Sequence, residues 1–131
     1  AALKTLEVME REQSWKIIKK KGLKISSLWQ SLADECELEI NTWGIPALSG
    51  FSFASKDALA YKTYITQEML KNGYLAGNSV YVCTEHTDGI IDGYFSKLSP
   101  IFETIKKCED GADIYSYIDG PLCHSGFKRL N

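Results

Sequence analysis

Two histidines and four cysteines are the side chains of this 131-residue sequence best suited to proton transfer or covalent chemistry. His86 stands in Glu85-His86-Thr87-Asp88, where a strand pattern gives way to a helix pattern. As a catalytic base it would be oriented by Asp88, or would activate the thiol of Cys83. As a structural group it would bond to backbone at the junction, ahead of Thr87 and Asp88, which suit the first turn of a helix. The structural reading is preferred, because a strand side chain at Cys83 and a helix-start side chain at His86 have no special reason to converge. Cys123 and His124 are adjacent, and adjacent residues point apart, which is poor geometry for a nucleophile and its base. The tail from Gly120, with Pro121, Gly126 and Phe127, is expected to dock on a surface rather than to catalyse. Glu85, His86 and Asp88 lie too close along the chain to supply the three or four converging donors a metal needs, so no metal site is expected. Cys36, Cys83, Cys108 and Cys123 show no C-x-x-C spacing and read as reduced, mostly buried thiols.

The elements that position these groups follow from periodicity. Residues 1 to about 21 carry Leu3, Leu6, Met9, Ile17 and Ile18 near one face, which predicts a helix closed by Gly22 as its C-cap. Ser27 and Gln30 form an S-x-x-Q capping pattern for a second helix bearing Leu28, Trp29, Leu32, Ala33 and Cys36. Residues 38–43 and 47–53 alternate apolar and polar, and the short Gly44-Ile45-Pro46 turn makes them antiparallel neighbours. Ser55 is placed to cap a third helix, ended by Asn72-Gly73. Residues 79–84 form a β-branched, aromatic strand, reached from the second by a crossover expected to be right-handed. Thr87 caps a last long helix that Pro100 should kink or split, and residues 114–118 predict a short helix. The fold class is α+β: a small, mainly antiparallel sheet of about three strands packed by helices, in one domain. Trp15, Trp29 and Trp43 read as core or domain-interface aromatics.

Composition removes several functions. An apolar share of 44% with 24% charged residues belongs to a folded globular chain. A net charge of -2 gives no general attraction to nucleic acid, and Lys19, Lys20, Lys21 and Lys24 read as a solvated helix end. No apolar stretch approaches the roughly 20 residues of a membrane span, and no signal peptide is evident. The sequence starts at Ala1, inside a helix pattern with no capping residue ahead of it, so it is expected to be a piece of a longer chain. P-loop, dinucleotide-binding, H-E-x-x-H and G-x-S-x-G signatures are missing.

Four segments in order resemble one family. Residues 1–12 resemble the helix that leads from the large domain into the small domain of class III aminotransferases. Thr66-Gln67-Glu68-Met69-Leu70-Lys71-Asn72-Gly73-Tyr74-Leu75-Ala76 is similar to that family's T-Q-E-M-L-x-x-G-x-L-A segment. His86-Thr87-Asp88 matches its H-T-[DE] helix opening, and the tail from Gly120-Pro121 to Leu130 resembles the ending of a glutamate-1-semialdehyde aminomutase-like subgroup, some of whose members serve surface-polysaccharide pathways. The resemblance implies the C-terminal small domain of a fold-type I enzyme dependent on pyridoxal 5'-phosphate (PLP). The PLP lysine and the aspartate on the pyridine nitrogen would then lie in a large domain upstream, so this chain holds no catalytic or cofactor-binding residue and is expected to be inactive alone. The small domain would close the substrate cleft, in a cytoplasmic homodimer acting on a small molecule, with neither nucleic acid nor membrane as partner. Aminomutases carry a longer segment with a functional glutamate before the H-T pair; here the nearest positions are Asn78 and Ser79, which favours a plain aminotransferase over a mutase. Asn78, Ser79 and Tyr81 are the residues expected to face the cleft. The competing readings are a free-standing α+β binding module and a small cysteine hydrolase using Cys83 or Cys123.

Overall fold

A computed structural model describes residues 1–124. Two helices open the chain: α1, Ala2–Glu12, and α2, Ser14–Glu35. Between them Gln13 takes a left-handed conformation, φ 51°. Its side-chain amide donates to the Glu10 carbonyl at 2.8 Å, and its main-chain N–H closes α1 on Glu10 and Met9. Those bonds offset the ~1–2 kcal/mol that a residue with a Cβ spends in that conformation. The break expected at Gly22 therefore falls at Gln13 instead.

Gly22 is no cap. It sits buried inside α2, where an added Cβ would lie 1.8 Å from the Pro46 carbonyl oxygen. The missing side chain is a packing requirement from a turn distant in sequence. Ser27 is likewise exposed in mid-helix rather than a cap. Beyond Gly22 the helix buries Ile25, Trp29, Leu32 and Ala33, an i, i+4, i+7, i+8 stripe that turns one face to the core.

The sheet has three strands: β1, Ile40–Ile45; β2, Leu48–Phe53; and β3, Ser79–Tyr81. Their order is β1-β2-β3, and both pairings are antiparallel. Pro46 and Ala47 form the two-residue turn, so β1 runs two residues beyond its expected end, and Gly44 takes φ +93° within it. The helix α3, Ala58–Lys71, joins β2 to β3. Because β3 is antiparallel to β2, the right-handed rule for parallel crossovers, expected to apply here, does not govern this connection. The hydroxyl of Ser55 accepts from Asp57 N–H one step ahead of α3 and donates to Glu109 at 2.7 Å; the α3 N-cap itself is Asp57.

The last long helix, α4, Asp88–Glu109, runs through Pro100 as one element. Pro100 is exposed, so the carbonyl it leaves without an N–H partner faces solvent. Of the two outcomes expected at Pro100, a kink or a split, the split does not occur. A 3-10 helix follows at Ile114–Tyr117. The core lies between the helices and one face of the sheet. Phe51 packs on Trp29 at 4.9 Å and on Phe102 at 5.8 Å, and Phe53 packs on Phe102 at 5.3 Å and on Tyr61 at 5.4 Å. Tyr61 closes the far end by donating to Glu109, tying α3 to the end of α4. All four thiols are free, but only Cys108 is buried; Cys36 and Cys123 are half-buried and Cys83 is exposed, contrary to expectation.

The start of the tail is laid along α3 by polar bonds. Asp119 N–H donates to Gln67 Oε1 at 2.7 Å, Gln67 Nε2 donates to the Tyr117 carbonyl at 2.9 Å, and Cys123 N–H donates to Thr63 Oγ1 at 3.0 Å. Lys71 adds an ion pair with Asp119 at 2.9 Å. The rest of the expected docking tail, residues 125–131, lies outside the described residues. Among the described residues no helix is long and apolar enough to cross a membrane.

Gly22→Ala should lower stability by about 2 kcal/mol or more, because helix and turn must separate to admit a methyl group. The exposed neighbour change Leu23→Ala should stay within about 0.5 kcal/mol. Urea unfolding followed by tryptophan fluorescence compares the two.

Candidate functional site

The residues expected to face a cleft lie in β3 or immediately before it. Asn78 is committed to the sheet: its Nδ2 donates to the Phe51 carbonyl at 2.8 Å, and its own carbonyl accepts from Phe51 N–H at 2.9 Å. Its side chain thus closes one further rung beyond the Gly50–Ser79 pair. Ser79 and Tyr81 stand opposite Gly50 and Leu48. By strand alternation they sit on the sheet face away from the helices and Val80 between them turns toward the core, although Ser79 also borders the cavity between α2 and α4. The structure therefore brings Ser79 and Tyr81 together on one surface and gives the Asn78 side chain a bracing role in the sheet.

The junction at His86 is built from backbone bonds. Cys83 N–H donates to His86 Nδ1 at 3.2 Å, so a neutral ring carries its proton on Nε2. Nδ1 is then not available to take a proton from the Cys83 thiol. Thr87 caps α4 by accepting from Ile90 N–H at 3.3 Å. Asp88, in the first turn, pairs with Lys24 at 2.8 Å. That hydrogen bond holds the Asp88 carboxyl below its ordinary range and pushes the Lys24 ammonium up. Lys21 donates to the Thr84 carbonyl. The basic run is thus inside α2 rather than at a helix end; Lys24 ties α2 to the first turn of α4 and Lys21 ties it to the loop ahead of that helix. Among the described residues no three His, Cys, Asp or Glu side chains are grouped to hold a metal ion.

Beside this junction a cavity of about 130 Å³ opens between α2, α4 and the loop at residues 74–76. Ile25, Trp29, Leu75, Val80, His86 and Tyr94 are among its walls. Trp29 Nε1–H donates to the Tyr94 hydroxyl at 3.1 Å. Burial of that hydroxyl pushes the Tyr94 phenol up to about 12, with the Trp29 bond opposing the shift. The lining holds neither lysine nor carboxylate and is mostly apolar, with Ser79, His86 and two tyrosines as its polar members, so it suits apolar atoms. Sequence reasoning missed this pair because its members stand 65 residues apart and neither sits in a motif.

PLP needs a lysine, a carboxylate for the ring nitrogen and donors for a phosphate dianion. Among the described residues three hollows contain a lysine; Lys62 borders one that has no carboxylate for the ring nitrogen, and the other two are acidic. Lys106 shares one with Glu37, Glu39, Glu109 and Asp110, and Lys56 shares another with Asp57, Glu109 and Asp113. Such carboxylate-rich walls repel a phosphate. Neither of these two acidic hollows fits the cofactor's phosphate.

The 3-aminobutyryl-CoA aminotransferase of Cloacimonas acidaminovorans (strain Evry) is 29% identical to this chain over 93 residues. The match covers 67% of this chain and 22% of that protein, so the chain spans about a fifth of the length of the curated relative. No protein-family model and no solved structure matches the chain. The similarity supports an aminotransferase relationship, in line with the four ordered segments.

Tyr94→Phe should cost about 1–3 kcal/mol at neutral pH, since it leaves the buried Trp29 N–H without its acceptor. The raised phenol has a second signature. Its contribution to stability is complete below the unfolded value of about 10 and is lost as pH rises through the folded value of about 12. The variant should therefore lose less stability than the parent between those limits, as read from urea unfolding over an alkaline pH series.

Proposed function

We propose that this chain is the C-terminal small domain of a PLP-dependent aminotransferase, with the PLP-binding part supplied by the rest of a longer polypeptide. The observation that carries the reading is the 93-residue similarity to an aminotransferase, most of whose length lies beyond the match. In this reading the domain closes the substrate side of the cleft within a cytoplasmic homodimer, and Ser79 and Tyr81 are its cleft-facing residues. The parent moves an amino group from an amino acid to a keto or aldehyde acceptor, with a sugar of a surface-polysaccharide pathway as one such acceptor. Glutamate-1-semialdehyde aminomutase is the alternative within the family. It is disfavoured by the uncharged Asn78 and Ser79 where a functional carboxylate would be needed, and by the bonds that commit Asn78 to the sheet.

The protein encoded by the complete gene should retain PLP through gel filtration and show its visible absorbance band, which an amino donor should bleach. The 131-residue chain alone should show no band under the same conditions. Stoichiometric PLP on the short chain, or none on the product of the complete gene, would overturn the reading.

A further inference from the structure

Between α3 and the sheet a hollow of about 180 Å³ is left open, with Phe51, Phe53, Ala58, Leu59, Lys62 and Asn78 among its walls. It lies where β3 stops short. The pairing of β3 with β2 covers Leu48 to Gly50, and Asn78 adds one rung at Phe51. The next residue of the central strand turned to that side is Phe53. On the β1 side the Ala54 N–H donates to the Glu39 carbonyl at 3.0 Å, which fixes the alternation. Phe53, opposite Ile40, therefore aims its main-chain N–H and carbonyl away from β1, toward the side where β3 has ended. Among the described residues neither group has a hydrogen-bond partner, although Phe53 is only 7% exposed. A buried donor and acceptor on one residue of a strand call for an extended segment beside it. The hollow itself is near the size of a cavity that takes up a benzene ring, ~150 Å³.

We propose that the segment is this chain's own tail, residues 125–131, with the Phe127 ring in the hollow and the main chain beside it paired with Phe53. The path of the preceding residues selects this occupant. They follow α3 back one turn at a time, with Asp119 N–H on Gln67, Cys123 N–H on Thr63 at 3.0 Å, and the Cys123 thiol 3.9 Å from the Leu59 carbonyl. Leu59 is itself a wall of the hollow, so the chain has reached its margin at Cys123. Phe127 stands four residues further on, a reach of ~13 Å when extended, and it is the one aromatic residue of that stretch. The bonds that hold residues 119–123 to α3 are polar. A phenyl ring in the hollow supplies the apolar anchor that such a strap otherwise lacks.

Amide hydrogen exchange, read residue by residue on the protein from the complete gene, tests the assignment. The Phe53 amide should be protected in the parent, and Phe127→Ala should speed its exchange about ten-fold. Leu130→Ala should leave it unchanged. The amides of Leu98 and Ile105, in α4, report on the whole fold. If Phe127→Ala accelerates those as much as Phe53, the unsubstituted protein decides, through a nuclear Overhauser contact between the Phe127 ring and the Ala58 methyl group. That contact would establish the docked tail, and its absence would overturn it. A fast Phe53 amide in the parent, or one indifferent to Phe127→Ala, would also overturn the proposal. Protection lost on dilution would give the hollow to the tail of a second copy and would overturn it likewise.

Discussion

Phe51 is the point at which every layer of this fold meets. Its ring packs on Trp29 of α2 and Phe102 of α4, while its main-chain N–H and carbonyl are both bonded to Asn78 at the threshold of β3. One residue thus fixes the helices above the sheet and the third strand beside it. Burial of a phenyl ring contributes about 1.5–3 kcal/mol, but the geometry matters as much as the energy. With Phe51 fully buried on the central strand, the alternation of β2 is settled, and the opposite face must receive Leu48, Gly50 and Ser52. The aromatic core and the outer face of the sheet are two sides of the same constraint.

How much of this was legible depended on how local its cause was. The shared face of Phe51 and Phe53 in β2, the Thr87 cap, the Asn72-Gly73 stop and the short helix near residue 114 each rest on a few consecutive residues, and the structure contains them, whereas β1 buries only Ile40 and the strand expected over 79–84 ends at Tyr81. Gly22 was misread because its local signature is that of a cap, while its cause is the carbonyl of Pro46 pressed against α2. Gln13, with no turn-forming signature, holds the real break through its own side-chain bond. The direction of β3 depends on how a helix and a seven-residue loop lie over the sheet, which no window of sequence contains.

The candidate site divides in the same way. Strand alternation was enough to put Ser79 and Tyr81 on a common face, and the backbone role of His86 followed from its place between strand and helix. The bond from the Asn78 side chain to Phe51 spans 27 residues, and the links from Lys21 to Thr84 and from Lys24 to Asp88 span more than 60. Such pairings become visible only when the elements are assembled. They also change the meaning of the T-Q-E-M-L segment. Gln67 and Lys71 hold the chain after the 3-10 helix against α3, and Met69 fills the core.

The left-handed residue between the first two helices has a mechanical consequence. α1 buries none of its residues, so the torsions of Gln13 largely set the direction in which it projects. At 1.5 Å per residue the eleven residues of α1 form an arm of about 16 Å. A rotation of about ten degrees at its root sweeps the tip through about 3 Å, roughly the length of a hydrogen bond. Gln13 therefore works as a fulcrum, at which a small torsional change is converted into a displacement large enough to make or break contacts at the far end of the arm.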